Sequence, residues 1–354
     1  MRITVDADIT RAETLPGEAY RSKELHARIV ERVFAPSWQL APDAPMVPPG
    51  TIAPFTLLPG TLDDPLLLVH DAAALRCLSN VCTHRGAILC DEPCEATTLR
   101  CRYHGRRFAL DGKMTHAPEF EGAVNFPSAR DHLPVLPTAR FGPLVLASLQ
   151  PAFAVEELLA PVRRRIGALP LDALQLDADS VRDYDVAANW MLYVDNYLEG
   201  LHIPFVHPSL AQALDFGAYR TELDPRGTTQ VGIAKKGEDT FDGSDVAAWY
   251  FWLYPNLMLN FYPWGLSLNV VMPLGVDAMR VHYRAYVLDE ERRERGAGSG
   301  LDRVEHEDEA VVESVQRGIH SRLYRRGRYS PTRETGVHHF HRLLCAALAD
   351  ESTS

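Results

Sequence analysis

The sequence predicts an α+β fold in two parts, a small mostly β domain followed by a larger domain in which a sheet packs on long helices. Three observations predict it. The chain has 354 residues, more than one ordinary core holds. Between Trp38 and about Leu149, short apolar or alternating runs such as "PLLLVHD" and "FGPLVLASL" are cut by Gly, Pro and Asp, the punctuation of short strands. From residue 249, three strand-like runs lead into one long stretch of helical periodicity, and a sheet beside a long helix is α+β architecture.

Residues 17–34, "GEAYRSKELHARIVERVF", set Leu25, Ile29 and Val33 at helical spacing. They are read as a helix within an N-terminal segment, 1–37, that packs on the second domain. The mostly β domain is assigned to 38–150. Residues 151–180 carry a helical piece from Val155 to Ile166 and a Pro/Asp-rich passage, which puts the junction there and assigns the second domain to 151–354. In that domain "SVRDYDVAANWMLYVDNYLEGLHIPFVH" turns from a strand into a helical pattern. The runs "WYFWLYPNLMLNFYP", "LSLNVVMPL" and "AMRVHYRAYVL" read as three strands. Then "RVEHEDEAVVESVQRGIHSRLYRR" reads as an amphipathic helix with Val304, Asp308, Val311, Val312, Val315 and Ile319 along one side.

Composition narrows the partner classes. A chain that is 46% hydrophobic and 23% charged is globular, and no apolar run approaches the roughly 18 residues of a membrane span. The first residues mix acids with bases and lack the apolar core of a signal peptide, so a cytoplasmic location is expected. A formal charge of −11 without a basic cluster argues against nucleic acid and anionic membranes, leaving small molecules and proteins as partners. Six cysteines are too few for a disulfide scaffold, and the clustering of four of them between residues 82 and 101 favours metal.

The stretch "NVCTHRGAILCDEPCEATTLRCRYHGRRF", residues 80–108, holds two pairs, Cys82-Thr-His84 and Cys101-Arg-Tyr-His104, each followed by a glycine. A single Cys or His is an ordinary core or surface residue; four at regular offsets read as ligands. A structural zinc site is one reading, although zinc modules usually group two cysteines in one knuckle and two histidines in the other. Mixed pairs suit a Rieske-type [2Fe–2S] cluster, in which two thiolates hold one iron and two imidazoles the other. Gly86 and Gly105 would let each loop turn tightly toward the cluster.

"CTHRG" followed by "CRYHG" resembles the two Rieske boxes of the α subunits of Rieske non-haem iron oxygenases, the ring-hydroxylating dioxygenases and related monooxygenases. Respiratory Rieske proteins carry an extra cysteine in each box, and here those places hold Ala87 and Arg102. Cys90 and Cys94 match no ligand of the pattern and are read as loop thiols. The resemblance runs from "TLPGEAYRSKEL" to "HHFHRLL". It implies a [2Fe–2S] domain followed by a helix-grip (START-like) α+β catalytic domain.

A relay of single electrons needs a place to spend them, and a 2-His-1-carboxylate site leaves open positions on Fe(II) for O₂ and substrate. "DNYLEGLHIPFVH" offers His202 and His207. On a straight helix, residues five apart point about 140° away from each other. Pro204 between them is expected to kink the chain and swing both imidazoles to one side. The same stretch resembles the family's iron motif: Asn189-Trp190 upstream, the pair Asp195-Asn196, and a carboxylate at Glu199 that bridges toward the cluster. The resemblance places the third ligand at Asp308, on the apolar side of its helix, where an acid needs a partner. Glu305, Glu307, Glu309 and Glu313 stand nearby as decoys, with Glu307 and Glu309 read as solvated charge.

The chain is thus expected to be the terminal oxygenase of a multicomponent system. Cys82, His84, Cys101 and His104 would hold the [2Fe–2S] cluster, and His202, His207 and Asp308 a mononuclear Fe(II). Glu199 and Asn196 would assist, and O₂ and a small organic molecule would be consumed by hydroxylation or oxidative dealkylation. No flavin, nicotinamide or plant-type ferredoxin motif is present, so electrons are expected from a separate NAD(P)H-dependent reductase. The resemblance implies a homotrimer in which His104 of one subunit faces Glu199 of the next. "DNYLEGLHIPFVH" and "RYSPTRETGVHHFH" are most similar to the choline, carnitine and glycine-betaine branch, which implies a quaternary ammonium substrate. An apolar arene is the alternative, and a ferredoxin-like carrier or a zinc-stabilised binding module are rivals of other classes. The aromatic-rich run "WYFWLYPNLMLNFYPWG" reads mainly as core strands, with some residues at the pocket.

Overall fold

The protein is described by a computed structural model covering residues 1–71, 74–167 and 169–349. It divides into two compact units, one of Ala35–Ala152 and one of Met1–Phe34 together with the chain from Phe153 on.

The first unit is built from three antiparallel sheets. A five-stranded sheet orders Cys94–Glu95, Thr51–Leu57, Asp64–His70, Leu75–Ser79 and Val135–Leu136, and a three-stranded one orders Gln39–Ala41, Leu144–Ala147 and Thr138–Phe141. The central strand explains the unbroken run "LLLV". Successive strand residues face opposite sides. Leu66 and Leu68 therefore enter a core with Leu57, Val145 and Ala147, whereas Leu67 and Val69 enter another with Cys82, Leu89, Cys101 and Phe108. A second three-stranded sheet, Leu99–Arg100, Arg107–Phe108 and Met114–His116, carries the second Cys/His loop between its first two strands.

In the other unit seven antiparallel strands are ordered Gln175–Val186, Met279–Val287, Gly265–Pro273, Leu257–Tyr262, Val246–Leu253, Gly227–Ile233 and Arg220–Asp224. The helices are α1 Lys23–Ile29, α2 Glu156–Ile166, α3 Trp190–Tyr197, α4 Ile203–Val206, α5 Pro208–Ala213, α6 Leu301–Ile319 and α7 Thr335–Ala347. Helices α3 and α6 meet the sheet through Asn269, which donates to the Tyr193 hydroxyl and to Glu305, both at 2.9 Å. Trp190, fully buried, packs edge-on against Phe34 and Phe340, so the N-terminal segment and α7 share the core of this unit.

Four expectations are corrected. α1 begins at Lys23 rather than residue 17, because the Ser22 hydroxyl accepts the Leu25 N–H and caps it there. The aromatic run is two strands, Val246–Leu253 and Leu257–Tyr262, separated by Tyr254-Pro255-Asn256, so the three expected strands are four. α6 stops at Ile319 instead of reaching Arg326, since Leu323 is 92% exposed and nothing would bury the extra turn. Its buried edge runs through Val312, Gln316 and Ile319, while Val315 faces outward.

Candidate metal centres and substrate pocket

The two Cys/His loops repeat one backbone design. Cys82 N–H donates to Ala87 O at 2.8 Å and Gly86 N–H returns to Cys82 O at 3.0 Å; Cys101 N–H donates to Arg106 O at 2.9 Å and Gly105 N–H to Cys101 O at 3.1 Å. Both glycines sit at positive φ, +72° and +73°, where a side chain is strained. The loops bring the two buried thiols into hydrogen-bonding contact. The His84 and His104 rings lie 4.7 Å apart, centroid to centroid, and are more exposed than the thiols. Two inner sulfurs and two outer imidazoles are the donor set of a Rieske cluster, so the residues fit the group. Sequence reasoning missed Arg106: it is buried, donates to the Thr83 hydroxyl at 2.9 Å, and lies over the Phe120 and Phe126 rings. Cys90 Sγ is 3.6 Å from Cys94 Sγ.

His202, His207 and Asp308 come together in the other unit, their ligand atoms all within 4.8 Å of one another. Asp308 Oδ1 lies 3.0 Å from His207 Nε2 and 3.6 Å from His202 Nε2. The donor set is that of a 2-His-1-carboxylate site, and its span suits a single ion. The imidazoles do come to one side, but not through a kink at Pro204, which corrects the expectation. It sits in the first turn of α4, where a missing N–H costs nothing. The break falls at His207, whose ψ of 77° leaves the helical region because Pro208 follows it and opens α5.

The outer nitrogen of each imidazole is held by a carboxylate. His202 Nδ1 is 2.7 Å from Glu199 Oε1, and Glu199 also accepts the backbone N–H groups of Leu201 and His202. His207 Nδ1 is 2.8 Å from Glu307 Oε2, and Glu307 accepts from Arg303 Nε at 2.9 Å. Reading Glu307 as solvated charge is therefore wrong, because its partner lies 100 residues away in sequence. Burial opposes charge on His207, but Asp308 and Glu307 outweigh it and raise its pKa above the ordinary imidazole range. Asn196 Nδ2 donates to Asp308 Oδ1 at 2.6 Å. Asp195, its neighbour, is structural: it accepts from the Tyr20 hydroxyl at 2.8 Å and lies 2.8 Å from His341 Nε2.

A cavity of about 80 Å³ opens beside these groups, ample for more than one water and suited to a small organic molecule. The sheet supplies one wall. Gln230, Tyr250, Asn260 and Ser267 are paired in register across four neighbouring strands and all line the cavity. Of the aromatic run, Tyr250 and Tyr262 face the cavity, whereas Phe251, Trp252 and Phe261 are fully buried elsewhere. α6 adds Leu301, Val304, Glu305 and Asp308. Burial raises Glu305 to about 7, despite the hydrogen bonds it accepts from Tyr193 and Asn269.

Comparison with known proteins agrees with this architecture. The Rieske [2Fe-2S] domain model matches residues 37–130, and the ring hydroxylating alpha subunit (catalytic domain) model matches 174–350. The chloroplastic choline monooxygenase of Arabidopsis thaliana is 31% identical over 95% of this chain and 83% of its own. The carnitine monooxygenase oxygenase subunit of Escherichia coli (strain K12) is 30% identical over 97% of this chain and 96% of its own. A solved quaternary ammonium Rieske monooxygenase, described with carnitine oxidation by gut microbiota and inter-subunit electron transfer, shares the fold at a TM-score of 0.79. It is 24% identical and covers 99% of this chain and 100% of its own.

Fold and domain matches define a two-domain oxidoreductase of the Rieske class. The chain belongs to the ring-hydroxylating α subunit family, the Rieske non-haem iron oxygenases. It is an oxygenase with a Rieske [2Fe–2S] domain and a non-haem iron catalytic domain, and it works with a separate reductase on a small molecule. A ferredoxin-like carrier and a zinc-stabilised module are thereby excluded. Among the described residues no helix is long and apolar enough to cross a membrane.

Proposed function

We propose that this oxygenase oxidises an alkylammonium compound, by hydroxylation or oxidative dealkylation, with the cluster on Cys82, His84, Cys101 and His104 and the iron on His202, His207 and Asp308. When bound, the cluster supplies single electrons and the iron the site of O₂ chemistry. The chain's own residues do the rest. Glu199 and Glu307 fix both imidazoles with Nε2 turned inward, and Asn196 holds the Asp308 carboxylate. The tyrosines and the strand row confine the substrate and limit water.

The observation that carries the substrate reading is the cavity wall. Tyr193, Tyr197, Tyr219, Tyr250 and Tyr262 present aromatic surface beside the carboxylate of Glu305, the combination that attracts an organic cation. Gln230, Asn260, Ser267 and Asn269 make the rest of the wall polar, and two of their amide oxygens, Gln230 Oε1 and Asn269 Oδ1, are buried without a hydrogen-bond partner, so a ligand that carries charge or a hydrogen-bond donor suits the wall better than an arene. Electron delivery is proposed to run between subunits of a head-to-tail homotrimer, from His104 of one chain to Glu199 of the next. Each domain is about 25–30 Å across by the size rule for compact chains, and a head-to-tail contact that closes gives a ring. Glu199 already holds His202, and the solved relative with inter-subunit electron transfer supports the arrangement.

The test is a product screen with a reductase and NADH across alkylammonium compounds and arenes, scoring product rather than NADH consumed. Hydroxylated or dealkylated ammonium product is expected. Product from arenes alone refutes the reading.

A further inference from the structure

The substrate cavity carries an uneven set of charges. Among its described lining residues are three carboxylates, Glu199, Glu305 and Asp308, and no lysine or arginine. Two of the three are engaged with imidazoles: Glu199 with His202, and Asp308 with His202 and His207. Glu305 is different. Its oxygens accept one neutral donor each, the Tyr193 hydroxyl and Asn269 Nδ2, and no cation pairs with it among the described residues. A partly buried carboxylate held by two neutral donors is oriented without a countercharge, and in its ionised form it favours a positive group beside it.

We propose that Glu305 is the specificity-determining residue of this site and selects an alkylammonium cation that has no carboxylate of its own. The assignment rests on the alkylammonium reading above and sharpens it. A trimethylammonium group set against the tyrosine faces gains cation–π attraction from them and charge attraction from Glu305. A zwitterionic betaine brings a carboxylate as well. Away from the iron ligands, that second charge meets the carboxylate of Glu305 and, among the described lining residues, no guanidinium or ammonium to receive it, so it is desolvated without a charged side-chain partner. Among the relatives' two kinds of substrate, the wall suits the cationic alcohol better than the zwitterion.

Equilibrium binding to the anaerobic holoenzyme tests this without turnover. Three probes are titrated calorimetrically: choline, its neutral carbon isostere 3,3-dimethylbutan-1-ol, and L-carnitine. The native protein is expected to bind choline at least about tenfold more tightly than either other probe. Glu305→Gln is expected to lose that advantage while its Kd for the neutral isostere holds. Glu305→Asp, which keeps the charge, is expected to keep the preference; if Glu305→Gln loses the isostere too, this variant decides. Unchanged choline affinity in Glu305→Gln, lost preference in Glu305→Asp, or carnitine as tight as choline in the native protein overturns the role of Glu305 and leaves the alkylammonium reading standing. No binding of any quaternary ammonium probe by the native holoenzyme overturns both.

Discussion

His207 is gripped at both nitrogens by consecutive residues of one helix, Nδ1 at 2.8 Å by Glu307 and Nε2 at 3.0 Å by Asp308. Adjacent helical positions point about 100° apart, so they reach one ring only by approaching it from two sides. The imidazole is thereby fixed in direction. Replacing Glu307 by Gln removes the charge behind Nδ1 and is expected to weaken iron binding about 10- to 100-fold. Chelator competition measures this. Glu309→Gln, whose carboxylate pairs instead with exposed His306, should leave iron affinity unchanged.

Asp308→Ala is expected to keep the visible spectrum of the cluster, lose about one iron per chain and abolish product formation. Iron and sulfide analysis beside the spectrum measures both centres at once. A variant that keeps its iron would show that the carboxylate ligand is elsewhere.

The proposed electron transfer between subunits predicts complementation. His104→Ala lacks a working cluster and His202→Ala lacks the iron, so each alone is inactive. Co-assembled mixed rings should regain part of the activity, because a sound cluster on one chain can serve a sound iron on its neighbour. Verified mixed rings that stay inactive would confine the electron to one chain.

Glu305 predicts a pH dependence in protein stripped of its mononuclear iron. Its folded pKa is raised to about 7, above the usual 4.5, so the folded state holds the proton more tightly than the unfolded chain does. The stability this gives is complete below the unfolded value and is lost as pH rises toward 7, an effect on the order of 3 kcal/mol. Denaturant titrations at pH 4.5 and 7.5 should show a larger loss for the native sequence than for Glu305→Gln.

Gly336 tests how closely α7 must approach α3. A Cβ there would stand 2.4 Å from Leu198 O, a backbone atom that cannot rotate away. Gly336→Ala is expected to cost about 1–3 kcal/mol and lower the melting temperature. Gly318→Ala, on α6 with nothing within 4 Å of its Cβ, should instead stabilise by about 0.5–1 kcal/mol.

Much of the site was legible because its signals are short-range. The Cys/His pairs lie within one stretch, and their spacing alone singles out Cys82, His84, Cys101 and His104. Asp308 was singled out by the resemblance to the family's iron site, with its place on an apolar helix side in support. The parts that escaped depend on residues remote in sequence. Glu307 looks like any exposed acid until His207 arrives from 100 residues away, and Glu305 looks like a decoy until Asn269 and Tyr193 frame it. Pro204 drew attention because it lies between the histidines. The residue that turns His207 is Pro208, just outside that interval, and it acts on the residue before it. The aromatic run hid a strand boundary because both strands are buried and neither alternates cleanly.

Glu305 and Asp308 stand three residues apart on α6, which fixes about 4.5 Å of rise along one rigid rod. A substrate held by its charged end is therefore presented against a ruler, with the anchor and the cutting edge cut from the same piece. On the proposed alkylammonium reading, the carbon oxidised would be set by its distance from the nitrogen rather than by the strength of its C–H bond, and lengthening the alkyl chain beyond that reach is expected to move material past the edge without moving the cut.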